Sequence, residues 1–268
     1  MRELFSREEI VAAQYDVPDA AAGYARAHAG NGPEARFFRS RLHAVSRALA
    51  AVPGGELLDV GCGPGIMVRE LLNTRPGDFR ITALDRSPVM VDACLRRAGE
   101  HPVRAVVGRI ERMDFADASF DVTLAMGSLE YTDIRHSLSE LARVTRPGGL
   151  VLVSMLNPAS PYRFVEWHVY RPLLRFLGRL EQVLTVPSER RHRAETDGIR
   201  AYREGTLRRL MAEARLRTVS VTYFDTTLFV PPADRLFRRW VRLNRPDRSI
   251  ARRWRGLGTG YLIAARPA

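Results

Sequence analysis

The sequence contains no lysine: all 42 of its basic side chains are arginine. So complete a loss points first to coding bias and excludes no function by itself. Cysteine is almost absent too. Cys62 and Cys94 are the two, and neither stands in a C-x-x-C or other metal-like spacing. Two ordinary thiols in a reducing compartment is the plainer reading, with a disulfide between them left open. No apolar run reaches the roughly eighteen residues that a bilayer requires, so no transmembrane segment is expected. The opening MRELFSREEIVAAQYD has no apolar signal core and reads as mature protein that stays in the cytoplasm. Neither an internal repeat nor a low-complexity tract is present.

What is there divides by charge. Residues 1–157 carry 19 arginines against 20 acids, whereas residues 158–268 carry 23 against 10. The formal surplus of +12 therefore lies wholly in the second part, where it would attract an anionic small molecule, nucleic acid or an anionic membrane surface. At 268 residues and 46% hydrophobic content the chain can bury one sizeable core.

The periodicity predicts a helical N-terminal region over residues 1–50, with Phe37, Leu42, Val45 and Leu49 at helical spacing, stopped by VPGG. Strands and helices then alternate. ELLDV, FRITALD, VRAVVG, ASFDVTLAMG and LVLVSML read as strands, and IMVRELL, SPVMVDACLRRA and IRHSLSELARV as helices. That rhythm predicts an α/β fold, a mostly parallel sheet covered by helices on both faces. From Asn157 the rhythm breaks. EWHVYRPLLRFLGRLEQVL reads as helix with a break at Pro172, SERRHRAETDG as loop, YREGTLRRLMAEA as helix, TVSVTYFD as strand, ADRLFRRWVRLN as helix and GTGYLIAARP as a last strand. Four regions follow: an N-terminal helical cap (1–50), a ligand-binding core (51–157), a helical lid or acceptor-binding insertion over the active site (158–200), and the rest of the core (201–268).

The strongest signal is ELLDVGCGPG, residues 56–65. A glycine turn after a buried strand lets backbone approach a ligand, and the helix that follows presents free N–H groups. Gly61, Gly63 and Gly65 alone fit a dinucleotide loop equally well. Asp59, just before them, suits a ligand with a cationic amino-acid group better than an anionic pyrophosphate. Asp85 closes the second strand, 20 residues after Gly65, where a carboxylate accepts hydrogen bonds from two ribose hydroxyls.

These motifs resemble those of the class I S-adenosylmethionine-dependent methyltransferases, particularly the subgroup acting on small molecules of the natural-product type. DVGCGPG is similar to their first motif and ALDRSPVMVDACLRRA to their second. GRIERMDFADASFDVTLAMGSLEY resembles the stretch lining the adenine pocket, and ELARVTRPGGLVLVS the helix and fifth strand beyond it. The resemblance implies a Rossmann-like sheet of seven strands, the last antiparallel. It implies S-adenosylmethionine as cofactor and S-adenosylhomocysteine as product. Cofactor contacts are then expected at Asp59, Gly61, Cys62, Gly63, Gly65, Asp85, Arg86, Arg109, Ile110, Glu111 and Met126. Arg109 departs from the family pattern, because a guanidinium cannot accept from the adenine amino group. Ile110 is expected to contact the ring, with Glu111 nearby and Arg109 facing solvent or the site.

Methyl transfer needs alignment and dryness more than covalent help. A neutral oxygen or nitrogen acceptor also needs a base. Tyr131, His168 and Tyr170 are the catalytic candidates, Tyr131 because it follows the fourth strand and the other two because the insertion is placed over the crevice; Glu130 lies beside Tyr131. Tyr162, Phe164, Trp167 and Phe176 would line an acceptor pocket or a helical core face. Arg163, Arg171, Arg175 and Arg179 would pair with an acceptor carboxylate or phosphate, or face solvent. No metal site is expected. The expected partner is a small molecule, aromatic, lipid-like or anionic, of secondary metabolism. Methylation of RNA by the basic region, a lipid methyltransferase on an anionic membrane and a non-catalytic cofactor-binding relative stand as alternatives. The oligomeric state, a homodimer included, is left open.

Overall fold

The computed structural model describes residues 15–17, 19–30, 32–184, 199–227, 230–233 and 256–268. Among the described residues two helices come first, α1 (Ala20–Ala29) and α2 (Pro33–Leu49). Five strands follow, β1 (Gly55–Val60), β2 (Phe79–Asp85), β3 (Val103–Val107), β4 (Phe120–Met126) and β5 (Thr145–Leu156). The intervening helices are α3 (Ile66–Thr74), α4 (Pro88–Ala98) and α5 (Ile134–Val144). After β5 come α6 (Pro161–Val165), a π turn (Glu166–Tyr170), α7 (Arg171–Val183), α8 (Glu204–Glu213), β6 (Leu216–Thr226) and β7 (Gly258–Pro267).

The seven strands form one sheet in the order β3-β2-β1-β4-β5-β7-β6. β1 pairs parallel with β2 and β4, while β7 runs antiparallel between β5 and β6. The strand order reverses beside β1, so the carboxyl ends of β1, β2 and β4 flank a crevice. Alternate residues of each strand enter two cores, as strand geometry requires. Leu58, Val60, Val151, Val153 and Ile263 pack with Leu138 and Leu141 of α5 and Leu207 and Met211 of α8. Leu57, Leu124, Leu152 and Leu262 pack on the other face with Val45 and Leu49 of α2 and Met67 and Leu71 of α3.

Helix ends follow local chemistry. Ser87 caps α4 by accepting from the Met90 N–H at 3.3 Å, and Asp133 caps α5 by accepting from Arg135 and His136. The seven-strand α/β sheet agrees with expectation. Two details differ. The LVLVSML pattern places the start of the fifth strand at Leu150. β5 instead begins at Thr145, pairs with Phe120, and absorbs the glycines in a register irregularity before Val122↔Leu150. At Pro172 the helix does not break. Pro172 has no N–H to offer the carbonyl four residues back, and the π turn before it widens the helix to accommodate the loss. The expected SERRHRAETDG loop and ADRLFRRWVRLN helix lie outside the described residues.

One buried ion pair ties the N-terminal helices to the far side of the sheet. Arg36 Nε on α2 donates to Asp225 Oδ1 at 2.6 Å, and Nη2 approaches Oδ2 at 3.4 Å. Thr259 Oγ1 donates to the same carboxylate. The clasp holds α2 against the carboxyl end of β6 and the start of β7.

Candidate functional site

A cleft opens to solvent where β1, β2 and β4 end. Its floor is the glycine turn. Gly61 adopts φ 68°, and a Cβ there would collide with Ser128. Gly65 adopts φ 74°, and a Cβ would come within 2.8 Å of Cys94 Sγ. Both the left-handed backbone and the tight contact thus demand glycine.

Asp85 lies on the cleft wall at the tip of β2. Its Oδ2 accepts from the Gly63 N–H at 2.8 Å and its Oδ1 from the Ser87 N–H at 3.0 Å. These bonds fix the carboxylate in plane and leave each oxygen a second lone pair for a ligand hydroxyl. Burial raises its proton affinity, and the two N–H bonds oppose the rise. Arg86, Met90, Ile110, Met126 and Gly127 complete this part of the wall. Ile110 is 6% exposed and joins the core, so it presents a fixed apolar surface. Arg109 and Glu111 both reach the cleft and approach each other at 3.7 Å; the guanidinium is half-exposed.

Asp59, Cys62 and Gly65 support the cleft from behind. Asp59 is 1% exposed, and neither carboxylate oxygen has a hydrogen-bond partner. Burial pushes its proton affinity up to about 7, Asp85 adds to the rise, and Arg41 opposes it. Cys62 is buried against Cys94, and burial with that contact holds its thiol protonated. Neither cysteine is in a disulfide.

The other end of the cleft is aromatic. Tyr131, on a 3₁₀ turn (Leu129–Tyr131), receives a hydrogen bond from Tyr15 at 3.2 Å, the rings packed edge to face. Burial, reinforced by Tyr15, raises the Tyr131 phenol far above its ordinary value. Ser87 Oγ holds the Tyr15 carbonyl at 3.0 Å. Tyr24 of α1, Ser128 and Thr132 add hydroxyls to the same end. Behind Tyr24 lies Arg41 of α2, 8% exposed, which donates to the Tyr24 hydroxyl at 3.3 Å and caps the Phe38 ring at 5.0 Å. The missing side chain at Gly127 leaves room for its guanidinium. Glu130 is buried behind this end, accepting from the Leu156 N–H, and burial raises its proton affinity.

Of the expected contacts, the fold brings Gly61, Gly63, Asp85, Arg86, Arg109, Ile110, Glu111, Met126 and Tyr131 together on one wall. It does not bring His168 or Tyr170 there. His168 is exposed, stacks on Phe164 and faces the Phe164 carbonyl through Nδ1; no residue of 158–184 lines the cleft. The reason is geometric: the π turn and α7 carry these side chains along a helix that leaves the sheet. Sequence reasoning missed Tyr15, Tyr24 and Arg41. Their only signal was aromatic and basic residues in the N-terminal helices, without any spacing that links them to the crevice. Among the described residues no group of three histidine, cysteine or acidic side chains could hold a metal ion, and no helix is long and apolar enough to cross a membrane.

An open, doubly wound sheet with a glycine turn and an acidic strand tip at its crevice is the arrangement that nucleotide-binding α/β proteins use at their switch point. Comparison with known proteins sharpens this. The family described as "Methyltransferase domain" matches residues 58–153. The chain is 38% identical to a malonyl-[acyl-carrier protein] O-methyltransferase of Serratia marcescens over 109 residues, 40% of this chain and 41% of that one. It is 28% identical to a demethylmenaquinone methyltransferase of Desulfitobacterium hafniense over 141 residues, 50% of this chain and 56% of that one. The chain thus spans about half the length of the curated relatives it matches. A solved S-adenosylmethionine-dependent methyltransferase of Thermotoga maritima shares the fold with a TM-score of 0.61 at 19% identity, covering 95% of this chain and 99% of that one. Residues 58–153 thus match a methyltransferase domain, and the fold is one that a solved S-adenosylmethionine-dependent methyltransferase shares.

Proposed function

We propose that this protein methylates a small aromatic or lipid-like acceptor, using the cleft between Asp85 and Tyr131. The observation that carries the reading is the division of that cleft: a nucleoside-shaped half bounded by Asp85, Met90 and Ile110, and a hydroxyl-rich aromatic half bounded by Tyr15, Tyr24 and Tyr131. S-adenosylmethionine supplies, when bound, an electrophilic methyl carbon that an acceptor lone pair takes in line as the carbon–sulfur bond breaks.

The residues present fit that group. Asp85 would meet the ribose hydroxyls with its remaining lone pairs, and Ile110 would pack on the adenine. Gly61 and Gly63 admit the methionine portion close to backbone. Asp59, whose oxygens lack partners, attracts its ammonium through a wall that carries no side chain at Gly61. Arg41 balances the carboxylate at the Gly127 end. Arg109, engaged with Glu111, screens the rim.

Tyr131 orients the acceptor by donating to its oxygen, and Tyr15 fixes the phenol that does so. The described wall at this end holds hydroxyls and no histidine. It therefore suits an acceptor that brings its own reactive lone pair, such as an ionised phenol, enol or carboxylate. On this reading His168 and Tyr170 have no part in the transfer.

Tyr131→Phe is expected to lower kcat for the acceptor by about tenfold, the worth of one lost hydrogen bond, while S-adenosylmethionine affinity stays within about twofold. Equal loss in both would assign Tyr131 to the cofactor instead. The reading as a whole is tested by incubating the protein with methyl-labelled S-adenosylmethionine and either a small-metabolite extract or total RNA. Label in an extractable small compound is expected. Label on nuclease-sensitive RNA would overturn it.

A further inference from the structure

Helix α7 is an amphipathic helix whose apolar face is left open by the described residues. None of its residues is buried. Leu173, Phe176, Leu180 and Val183 recur at helical spacing along one stripe, and Leu184 follows; their exposures run from 46% to 78%. Phe164 and Val169, on the turns before it, are more than half exposed as well. Apolar area so concentrated on one element marks a contact surface.

Its polar side is basic. Arg171, Arg175 and Arg179 fall at successive i, i+4 positions and so form a second stripe beside the first. Arg175 and Arg179 are exposed, while Arg171 leans on Glu166 at 3.8 Å. Residues 158–184 hold two acids, Glu166 and Glu181, and Glu166 is already engaged by Arg163 at 2.6 Å. The helix belongs to residues 158–268, in which arginines outnumber acids by 23 to 10.

We propose that α7 docks flat on an anionic lipid bilayer, its leucine and phenylalanine stripe among the acyl chains and Arg175 and Arg179 on the lipid phosphates. A helix of 13 residues spans about 20 Å, too short to cross a bilayer and well suited to lie in its surface. Guanidinium groups pair with phosphate in bidentate fashion, and their stems extend the apolar cover. Charge decides against the obvious rival, a second copy of this chain. A two-fold contact through α7 sets the same stripe against itself and brings the arginines of both copies together, whereas an anionic surface complements them. The proposal goes beyond methyl transfer and does not rest on it.

The test is co-sedimentation of the full chain with phosphatidylcholine vesicles, with and without about 30% phosphatidylglycerol. Binding is expected to the anionic vesicles, at least tenfold weaker to neutral ones, and reversed by high salt. Arg175→Gln with Arg179→Gln is expected to lower partitioning about 25-fold, roughly fivefold for each arginine. Phe176→Glu with Leu180→Glu is expected to lower it about 100-fold or more. S-adenosylmethionine affinity, read by calorimetry on each variant, is expected to be unchanged, which separates lost docking from lost folding. Equal sedimentation with both vesicle types, or variants that bind like the parent, would overturn the proposal. So would a parent that is dimeric by light scattering, fails to bind vesicles, and becomes monomeric on Phe176→Glu.

Discussion

Replacing Asp225 with alanine is expected to destabilise the fold by about 3–5 kcal/mol, the usual cost of leaving one member of a buried ion pair alone. The Arg36 and Asp225 side chains are 9% and 3% exposed, so solvent cannot take over from the lost partner. Arg36 Nη1 already lacks a hydrogen bond, and the carboxylate is the group that neutralises the guanidinium. Thr259 would lose its acceptor at the same time. For a chain of this length such a loss lowers Tm by about 10 °C. Arg36→Met combined with Asp225→Asn removes both charges, and asparagine tolerates the positive φ of 55° at that position. The double variant is expected to recover most of the loss. A single-variant change below about 1 kcal/mol would show that the pair does not anchor α2.

Asp59→Asn is the second large effect, and its sign depends on pH. Asp59 holds its proton up to about pH 7 in the fold, against an ordinary value of 3.8. A raised carboxyl costs nothing below about pH 4, where both folded and unfolded chains are protonated. The cost grows between pH 4 and 7 and is complete above 7. Each tenfold in proton affinity is worth about 1.4 kcal/mol, so the ligand-free protein should gain on the order of 4 kcal/mol from Asp59→Asn at pH 8 and almost nothing at pH 4. His28 acts in the opposite direction, since burial lowers its proton affinity to about 4 and stability falls as it is forced to charge. Subtracting the variant's urea-unfolding curve from the parent's cancels that contribution. Cofactor affinity should move the other way: if the ionised carboxylate attracts the ammonium, the parent binds about tenfold more weakly at pH 6 than at pH 8, and the variant loses that slope. A parent and variant with parallel stability curves from pH 4 to 8 would mean that Asp59 ionises normally.

Much of the Asp85 half of the cleft was legible because its constraints are local. A glycine turn must follow a buried strand, an acid must end the next one, and the apolar Ile110 must follow the third. Each leaves a mark within a few residues. The sheet was equally legible, since β1, β2, β4, β5 and β7 are runs buried on both faces. The aromatic half was not. Tyr15 reaches Tyr131 across 116 positions, and Arg36 reaches Asp225 across 189; no periodicity records such pairs. His168 misled for the complementary reason. Its helix was recognised in the sequence, but the direction in which that helix leaves the sheet depends on the π turn before Pro172, which no propensity announces.

On the proposed reading this cleft binds S-adenosylmethionine through Asp85, which calorimetric titration of the cofactor into the full chain and into Asp85→Ala would test. Saturable one-to-one binding is expected for the parent, with an affinity about 100-fold lower in the variant, the worth of two hydrogen bonds to a charged acceptor, and folding checked by circular dichroism. Undiminished affinity in Asp85→Ala, or no saturable binding by the parent, would contradict it.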